Sequence, residues 1–464
     1  MTNRDPKSLL TRRALLQAAG GIVGVAAVQR TGGLRAAAAG GAAVIDTLAA
    51  MLSGAALPPG RVALRFARAR LGERTATVAA SNIVCGPIEA ALANGMLAHA
   101  DETDDSHAPS HSHPGCSIVP AALAAGEHFG IDGGRLIRAV ALGYDVGTRV
   151  TFTLGALPYQ IETHFSTHSI ASDFGASAAA ACAAAFSAQQ MRWVIDYAAQ
   201  QASGVAAWQR DTEHIEKSLV FGGFPARNGV SAALIIAAGG TGVDDILSGA
   251  DNFFQAFVPR NDPAMLVDKL GERYEITRTN VKKWTVGAPI QAPLDALDTL
   301  LRRHRFEADQ VTDVVVKVAA NEATIVDNRE IPDISLQHLV AVMLVDRTVT
   351  FQSAHDTARM ADPVVRRHRA KVRLVHDEDL ERLMPRREAV VEVRVAGGQQ
   401  YAERVGNVRG TAENPMTRDE IVAKARDLVT PVLGRATGQR LIDAVFALES
   451  STNIRELRPL LQKA

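Results

Sequence analysis

Between residues 99 and 113 the chain concentrates groups that can move protons: His99, Asp101, Glu102, Asp104, Asp105, Ser106, His107, His111 and His113. Four of its 13 histidines and four acids fall within these fifteen residues. Imidazole exchanges protons near neutral pH, and a carboxylate beside it can accept a proton or orient the ring. Apolar, helix-patterned stretches flank the segment, so it reads as a loop held at both ends by packed scaffold, an arrangement that functional groups favour. Two other readings fit the same residues. A turn rich in Asp and Ser can be a solvated loop and nothing more, and His with Asp can ligate a divalent ion. The histidines lack the i, i+4 pairing of a helical HExxH site, and no metal is expected.

The elements that must position this loop are helical. Ile83–His99, Pro120–Phe129, Leu136–Val150, Ala171–Phe186 and Met191–Gly204 each place apolar residues at spacings of three and four. Several are so rich in Ala and Gly, Ala176–Ala185 above all, that their backbones must pack closely. After about Tyr274 the pattern changes. Val311, Val314, Val316 and Val318 form a strand-like run, as do Lys371–Val375 and Ala389–Val395. The last leads through Gly397-Gly398 into Gln400–Val405 as a hairpin. From Thr417 helix returns, with Thr417 and Glu420 as a capping box before Ile421–Val429. The expected fold is mainly α with an α+β insertion. A helical domain is built from both chain ends, 40–274 and 406–464, and a smaller α+β domain spans 275–405.

Composition bounds the function. The 464 residues are 47% hydrophobic and 22% charged, which suits a globular chain of two or three domains. Fifty basic and fifty acidic groups argue against a nucleic-acid binder. Cys85, Cys116 and Cys182 are far apart and show no CxxC spacing, so neither a disulfide framework nor a structural zinc site is expected. The balance of charge hides an asymmetry. Thr11-Arg12-Arg13-Ala14-Leu15-Leu16-Gln17, the apolar run Ala18–Val28 and the small residues Ala36–Gly40 resemble a twin-arginine export signal spanning 1–39. Its removal takes six bases and one acid, leaving 44 basic and 49 acidic groups and a net charge of −5. The expectation is a periplasmic protein that meets the membrane only during export.

A longer set of motifs resembles the MmgE/PrpD family. It begins with Asn94-Gly95-Met96-Leu97-Ala98-His99, Asp104-Asp105-Ser106 and His113-Pro114-Gly115, and continues through Gly143-Tyr144-Asp145-Val146-Gly147 and Gln201-Ala202-Ser203-Gly204. Lys217, Gly223-Phe224-Pro225-Ala226-Arg227-Asn228-Gly229, Leu270-Gly271-Glu272-Arg273-Tyr274 and Asn414-Pro415-Met416-Thr417 follow in order. The family includes 2-methylcitrate dehydratase, cis-aconitate decarboxylase and iminodisuccinate epimerase. The resemblance implies a helical domain with an α+β lid, a homodimer, and an active site without cofactor for a small polycarboxylate. It also implies proton transfer at a carbon next to a carboxylate. On that basis His113 would exchange the proton, Asp105 or Glu102 would orient it, and Ser106 would donate to a substrate carboxylate. Lys217 would sit at the substrate and Arg227 would clamp a carboxylate. Asp101 and His107 complete the loop's candidates for substrate contact.

The departures from the family bear on the substrate. The aspartate that usually precedes the Asp pair is Glu102 here. A family element of the type G-F-H-P-T-S-T-A-G is His164-Phe165-Ser166-Thr167-His168-Ser169-Ile170-Ala171-Ser172, so either His164 or His168 would stand in for its histidine. The lid histidine before the D-A pair is gone, and Gln291 can hydrogen-bond but not titrate. His338 stands where relatives often carry an aromatic. The expected activity is dehydration of a hydroxy-polycarboxylate resembling 2-methylcitrate. Epimerisation or decarboxylation of a related acid, and a non-catalytic periplasmic carboxylate-binding protein, are the alternatives.

Overall fold

The computed structural model describes residues 31–258 and 262–463. The twin-arginine stretch and its apolar run therefore lie outside the described residues. The chain forms two units. One comprises the residues up to 100, together with 105–279 and 428–464; the other comprises 101–104 and 280–427.

The first unit is helical. Its longer helices before residue 280 are α1 (Thr31–Gly54), α2 (Pro58–Arg68), α3 (Pro87–Ala98), α4 (Gly115–Phe129), α5 (Gly133–Leu154), α6 (Thr167–Ala183), α7 (Ala188–Gln201) and α8 (Phe224–Ala237), and the chain returns to it within the helix Arg418–Phe446. Local signals set their ends. Pro87 starts α3, where its missing N–H costs nothing. Asp132 caps α5 by accepting from the Arg135 N–H, Ser166 caps α6 through the Ser169 N–H, and Ser187 with Gln190 forms a capping box on α7. α4 begins at Gly115, earlier than the periodicity suggests, and runs through Pro120. The segment from Ile83 to Gly86 is extended, pairing as β2 (Val84–Cys85) with β1 (Ala76–Thr77).

Small residues let the helices close on one another. A Cβ on Gly147 of α5 would fall 2.1 Å from the Ala171 carbonyl oxygen of α6. One on Gly229 of α8 would stand 2.5 Å from the Ala176 carbonyl carbon. α1 is equally tight: Ala36 is buried, and a Cβ on Gly40 would meet Ile137 at 2.9 Å. The stretch Ala36–Gly40, expected to hold a cleavage site, is thus part of a packed helix. Arg35–Gly54 and Ile215–Ala237 are long and apolar enough to cross a membrane, and more than half of each is buried inside the protein.

The second unit carries a four-stranded sheet in the order β4-β3-β5-β6, with β3 Val311–Ala319, β4 Val372–Asp377, β5 Ala389–Val395 and β6 Gln400–Val405. β3 runs parallel to β4 and antiparallel to β5, and β5 and β6 form the hairpin through Gly397-Gly398. Val391 and Val393 alternate inward on β5 with Val390 and Glu392, the period of a half-buried strand. They pack with Val314, Val316, Leu297, Leu339 and Met343 in one apolar core. This unit returns the chain at Leu428, later than the expected 405. The residues after β6 stay with it through polar ties: the Arg409 N–H donates to Asp295 at 2.7 Å, and the Arg409 guanidinium pairs with Glu420. The capping box is present, with the Glu420 N–H donating to Thr417 Oγ1 at 3.3 Å.

Candidate active site

The segment after α3 turns sharply. His107 and Ser112 exchange backbone hydrogen bonds of 2.8 and 3.3 Å around the short turn Ala108–Ser110, with His111 in the left-handed region at φ 52°. Asp105 fixes where the segment enters α4. One of its oxygens accepts from the Gly115 N–H at 3.0 Å and the other from the Tyr144 hydroxyl. Only glycine fits at 115, because a Cβ would lie 2.6 Å from the Tyr144 oxygen and 2.8 Å from Thr47 Oγ1. Burial and the Asp105 carboxylate push the Tyr144 phenol well above its ordinary range, so it stays a donor. Asp105 thus orders the backbone at His113-Pro114-Gly115.

That backbone delivers His113 into a group of imidazoles around Phe221. The His168 ring stacks on Phe221 at 4.2 Å between centroids, and His99 stacks on its ring at 4.7 Å. His113 lies 5.1 Å from His99 and 5.4 Å from His168; His111 is 4.6 Å from His168, and His214 is 5.1 Å from His99. Trp208 meets Phe221 edge-on at 4.7 Å. The Lys217 amine stands 5.5 Å from the ring centroids of both Trp208 and Phe221, within cation–π range. Phe221 sits in a π-helical turn, Leu219–Gly223, that closes against α3. π-bulges of this kind recur at functional sites.

The electrostatics of this group follow from its composition. Burial comes first among the forces that hold His168 well below the ordinary imidazole range; His111, His113, Lys217 and His99 push the same way. His168 is therefore a neutral imidazole at physiological pH, and its buried Nδ1 has no hydrogen-bond partner among the described residues. A neutral base beside an ammonium group in a buried setting can bind a carboxylate and move a proton next to it.

The other expected residues are distributed differently. Ser106 is half-buried at the start of the turn. His107 is fully buried, with Nδ1 2.8 Å from Ser110 Oγ and Nε2 3.3 Å from Glu275, so both nitrogens are engaged inside the fold. His164 is exposed, ending a short helix in the left-handed region. Arg227 is bonded to its neighbour Asn228 at 2.9 Å and lies over the Phe224 ring. Asp101 and Glu102 belong to the second unit. There Asp101 faces His355 at 2.8 Å, and Lys282 stands 3.8 Å from Glu102 and 3.9 Å from Asp104. Gln291 is buried and spends its amide on the Trp284 N–H and the Trp284 and Val286 carbonyls. His338 is fully buried in the second unit; burial lowers its pKa to about 4. Neither ring nitrogen of His338 has a hydrogen-bond partner among the described residues.

Of the twelve residues singled out, the first unit brings His113, His168 and Lys217 into one group, with Asp105 supporting it. His214, Trp208 and His355 carry no sequence signal that ties them to the motifs.

A helical unit presenting clustered imidazoles, with an α+β unit interrupting it, defines an acid–base enzyme scaffold. Comparison with known families makes it specific. The MmgE/PrpD N-terminal domain matches residues 30–266 and the MmgE/PrpD C-terminal domain matches 284–449. The chain belongs to the MmgE/PrpD family, and its function at that level is that of a lyase. It is 25% identical over 450 residues to the cis-aconitate decarboxylase-like protein oryM of Aspergillus oryzae, covering 90% of this chain and 91% of that one. It is also 25% identical over 401 residues to the cis-aconitate decarboxylase of Mus musculus, covering 81% and 78% of the two chains.

Proposed function

We propose that the chain is a lyase that acts without a cofactor on a small polycarboxylate by proton transfer at a carbon next to a carboxylate. The observation that carries this reading is the neutral His168 imidazole set among His113, His99 and the Lys217 ammonium group. Lys217 supplies charge for a substrate carboxylate, and His168 and His113 are the proton carriers. Loss of CO2 from the substrate leaves an electron pair on carbon, which an imidazolium then protonates. Loss of water runs from the same kind of intermediate: an imidazole takes the proton, and a second acid protonates the departing hydroxide. The names of both relatives favour decarboxylation of an unsaturated tricarboxylate over the dehydration expected from motifs alone.

The experiment is incubation of purified protein, with chelator and no added cofactor, with cis-aconitate, citrate, isocitrate and 2-methylcitrate in deuterium oxide. Release of CO2 or of an unsaturated acid supports the lyase. Deuterium uptake without elimination would assign an epimerase, and binding without turnover or exchange would assign a carboxylate-binding protein.

We propose further that the chain is exported and acts as a homodimer. Arg12-Arg13 and the uncharged run Ala18–Val28 support export. The packing of Ala36 and Gly40 supports a processing point ahead of α1. N-terminal sequencing of periplasmic material tests this; a mature end inside 36–40, or retention in the cytosol, overturns it.

A further inference from the structure

In the second unit one imidazole is hydrogen-bonded through one nitrogen and turned toward two carboxylates through the other. His355 ends a short helix, Phe351–His355, whose start is capped by Thr350 and Ser353. Its ring stacks on Phe351 at 4.2 Å and is almost wholly buried. Nδ1 lies 2.8 Å from the Phe351 carbonyl oxygen, which can only accept, so Nδ1 carries a proton. Nε2 lies 2.8 Å from Asp101 Oδ2 and 3.7 Å from Asp333 Oδ2, within ion-pair distance of both. The ring stands between two buried carboxylates, which favour its protonated form.

Asp101 opens the four-residue segment that the second unit contributes between Ala100 and Asp105. Three cations from separate parts of the chain grip it. His355 faces Asp101, the Lys282 amine donates to the Glu102 carbonyl at 2.6 Å, and Lys424 donates to the Thr103 carbonyl at 3.0 Å. Asp101 also accepts from the Thr103 N–H at 3.1 Å, which closes the turn. Glu102, at the centre of this grip, is the acid that replaces the family's aspartate.

We propose that His355 is a positioning residue for the lyase reaction: as an imidazolium it fixes Asp101 and so sets where the Glu102 carboxylate stands. The proposal rests on the lyase reading. The groups that face His355 are Asp101, Asp333 and, beyond Asp333, Glu102; the stacked Phe351 is apolar. Burial opposes the charge, but the Asp101 and Asp333 carboxylates outweigh it and hold the ring's pKa at about 9. Burial raises Asp333 to about 6, against the pull of His355. The grip on Asp101 is therefore lost as pH rises through about 9, where the ring gives up its charge.

The test is His355→Gln in the full chain, which keeps a donor toward Asp101 but removes the charge. We expect kcat to fall about ten- to a hundredfold, with KM changed far less, because a displaced catalytic group costs turnover. The alkaline limb of the pH profile should vanish with it. Nitrogen-15 NMR of the wild-type ring should show both nitrogens protonated at pH 7, and Asp101→Asn should lower its titration. A ring neutral at pH 7, or an unchanged kcat and alkaline limb, overturns the proposal. If the wild type turns over none of the acids, the lyase reading fails, while the NMR titration still decides whether the grip exists.

Discussion

Gly95 of α3 and Gly222 of the π-helical turn meet backbone to backbone. A Cβ on Gly95 would fall 2.4 Å from the Gly222 carbonyl oxygen, and one on Gly222 would fall 2.1 Å from that of Gly95. The contact places Phe221, and through it the stacked imidazoles. Gly95→Ala should therefore destabilise the protein by about 1–3 kcal/mol or more through overpacking. It should also shift the titration of His168, which histidine NMR would report alongside thermal unfolding. A change in melting temperature with an unmoved titration would show that the glycine contact does not set the imidazoles.

His113→Ala and His168→Ala should each leave the fold intact and lower turnover by about 10²–10⁴-fold, the range for a lost proton carrier. The measurement is kcat on whichever polycarboxylate the wild type converts. Full activity in His168→Ala would pass the role to another ring of the group.

Lys217→Met removes one of the positive charges that hold the His168 pKa down. His168 must be neutral to accept a proton, so activity that depends on it is present above its depressed pKa and lost as pH falls through it. Taking away the ammonium group raises that pKa, and the acid limb of kcat should move to higher pH. A limb that stays in place would separate Lys217 from His168.

Tyr144→Phe leaves one oxygen of the buried Asp105 without its hydroxyl donor. The expected loss of stability is about 1–3 kcal/mol, the cost of an unsatisfied buried acceptor. Denaturant unfolding measures it, and turnover should fall with it because Asp105 orders the entry to α4.

Glu275 is fully buried and receives His107 at 3.3 Å, Arg273 at 2.6 Å and Arg278 at 2.9 Å. Burial alone would raise its pKa, but these partners outweigh it and hold it at about 2. The sign is that of a depressed carboxyl: its contribution is fully present above pH 4.5 and lost as pH falls through 2. Glu275→Gln should cost about 3–5 kcal/mol at neutral pH by taking a counter-charge from the buried Arg149, 3.9 Å away, and from the half-buried Arg273. The variant should also lack the wild type's loss of stability between those two values, as read by urea unfolding across the range.

Much of this architecture was legible in the residues. The valine runs of β3 and β5 alternate against a core, the Gly397-Gly398 turn marks the hairpin, and Thr417 with Glu420 announces its helix. Each is a local signal, complete within a few residues. The loop from His99 to His113 was legible for the same reason, as a local density of titratable groups. The convergence of His99 and His168 on Phe221 was not, because it depends on the packing of Gly95 against Gly222 across 127 positions of sequence. Nor was the end of the second unit at residue 427. It goes with Arg409, whose N–H reaches back to Asp295 and whose guanidinium reaches forward to Glu420, ties with no periodicity to read. Gln291 and His338 looked available for substrate as residue types, and burial gives them other surroundings.

The assignment of Asp101–Asp104 to the second unit has a consequence for how this protein can be divided. The chain crosses between units four times, and one visit lasts only four residues. A fragment cut as 280–427 would keep His355, Lys282 and Lys424 but lose Asp101 and the Glu102 and Thr103 carbonyls that answer them. The α+β part is therefore not a portable module. Grafting it, or exchanging it with a relative's, has to carry Asp101–Asp104 as well, a segment set about 175 residues earlier in the chain.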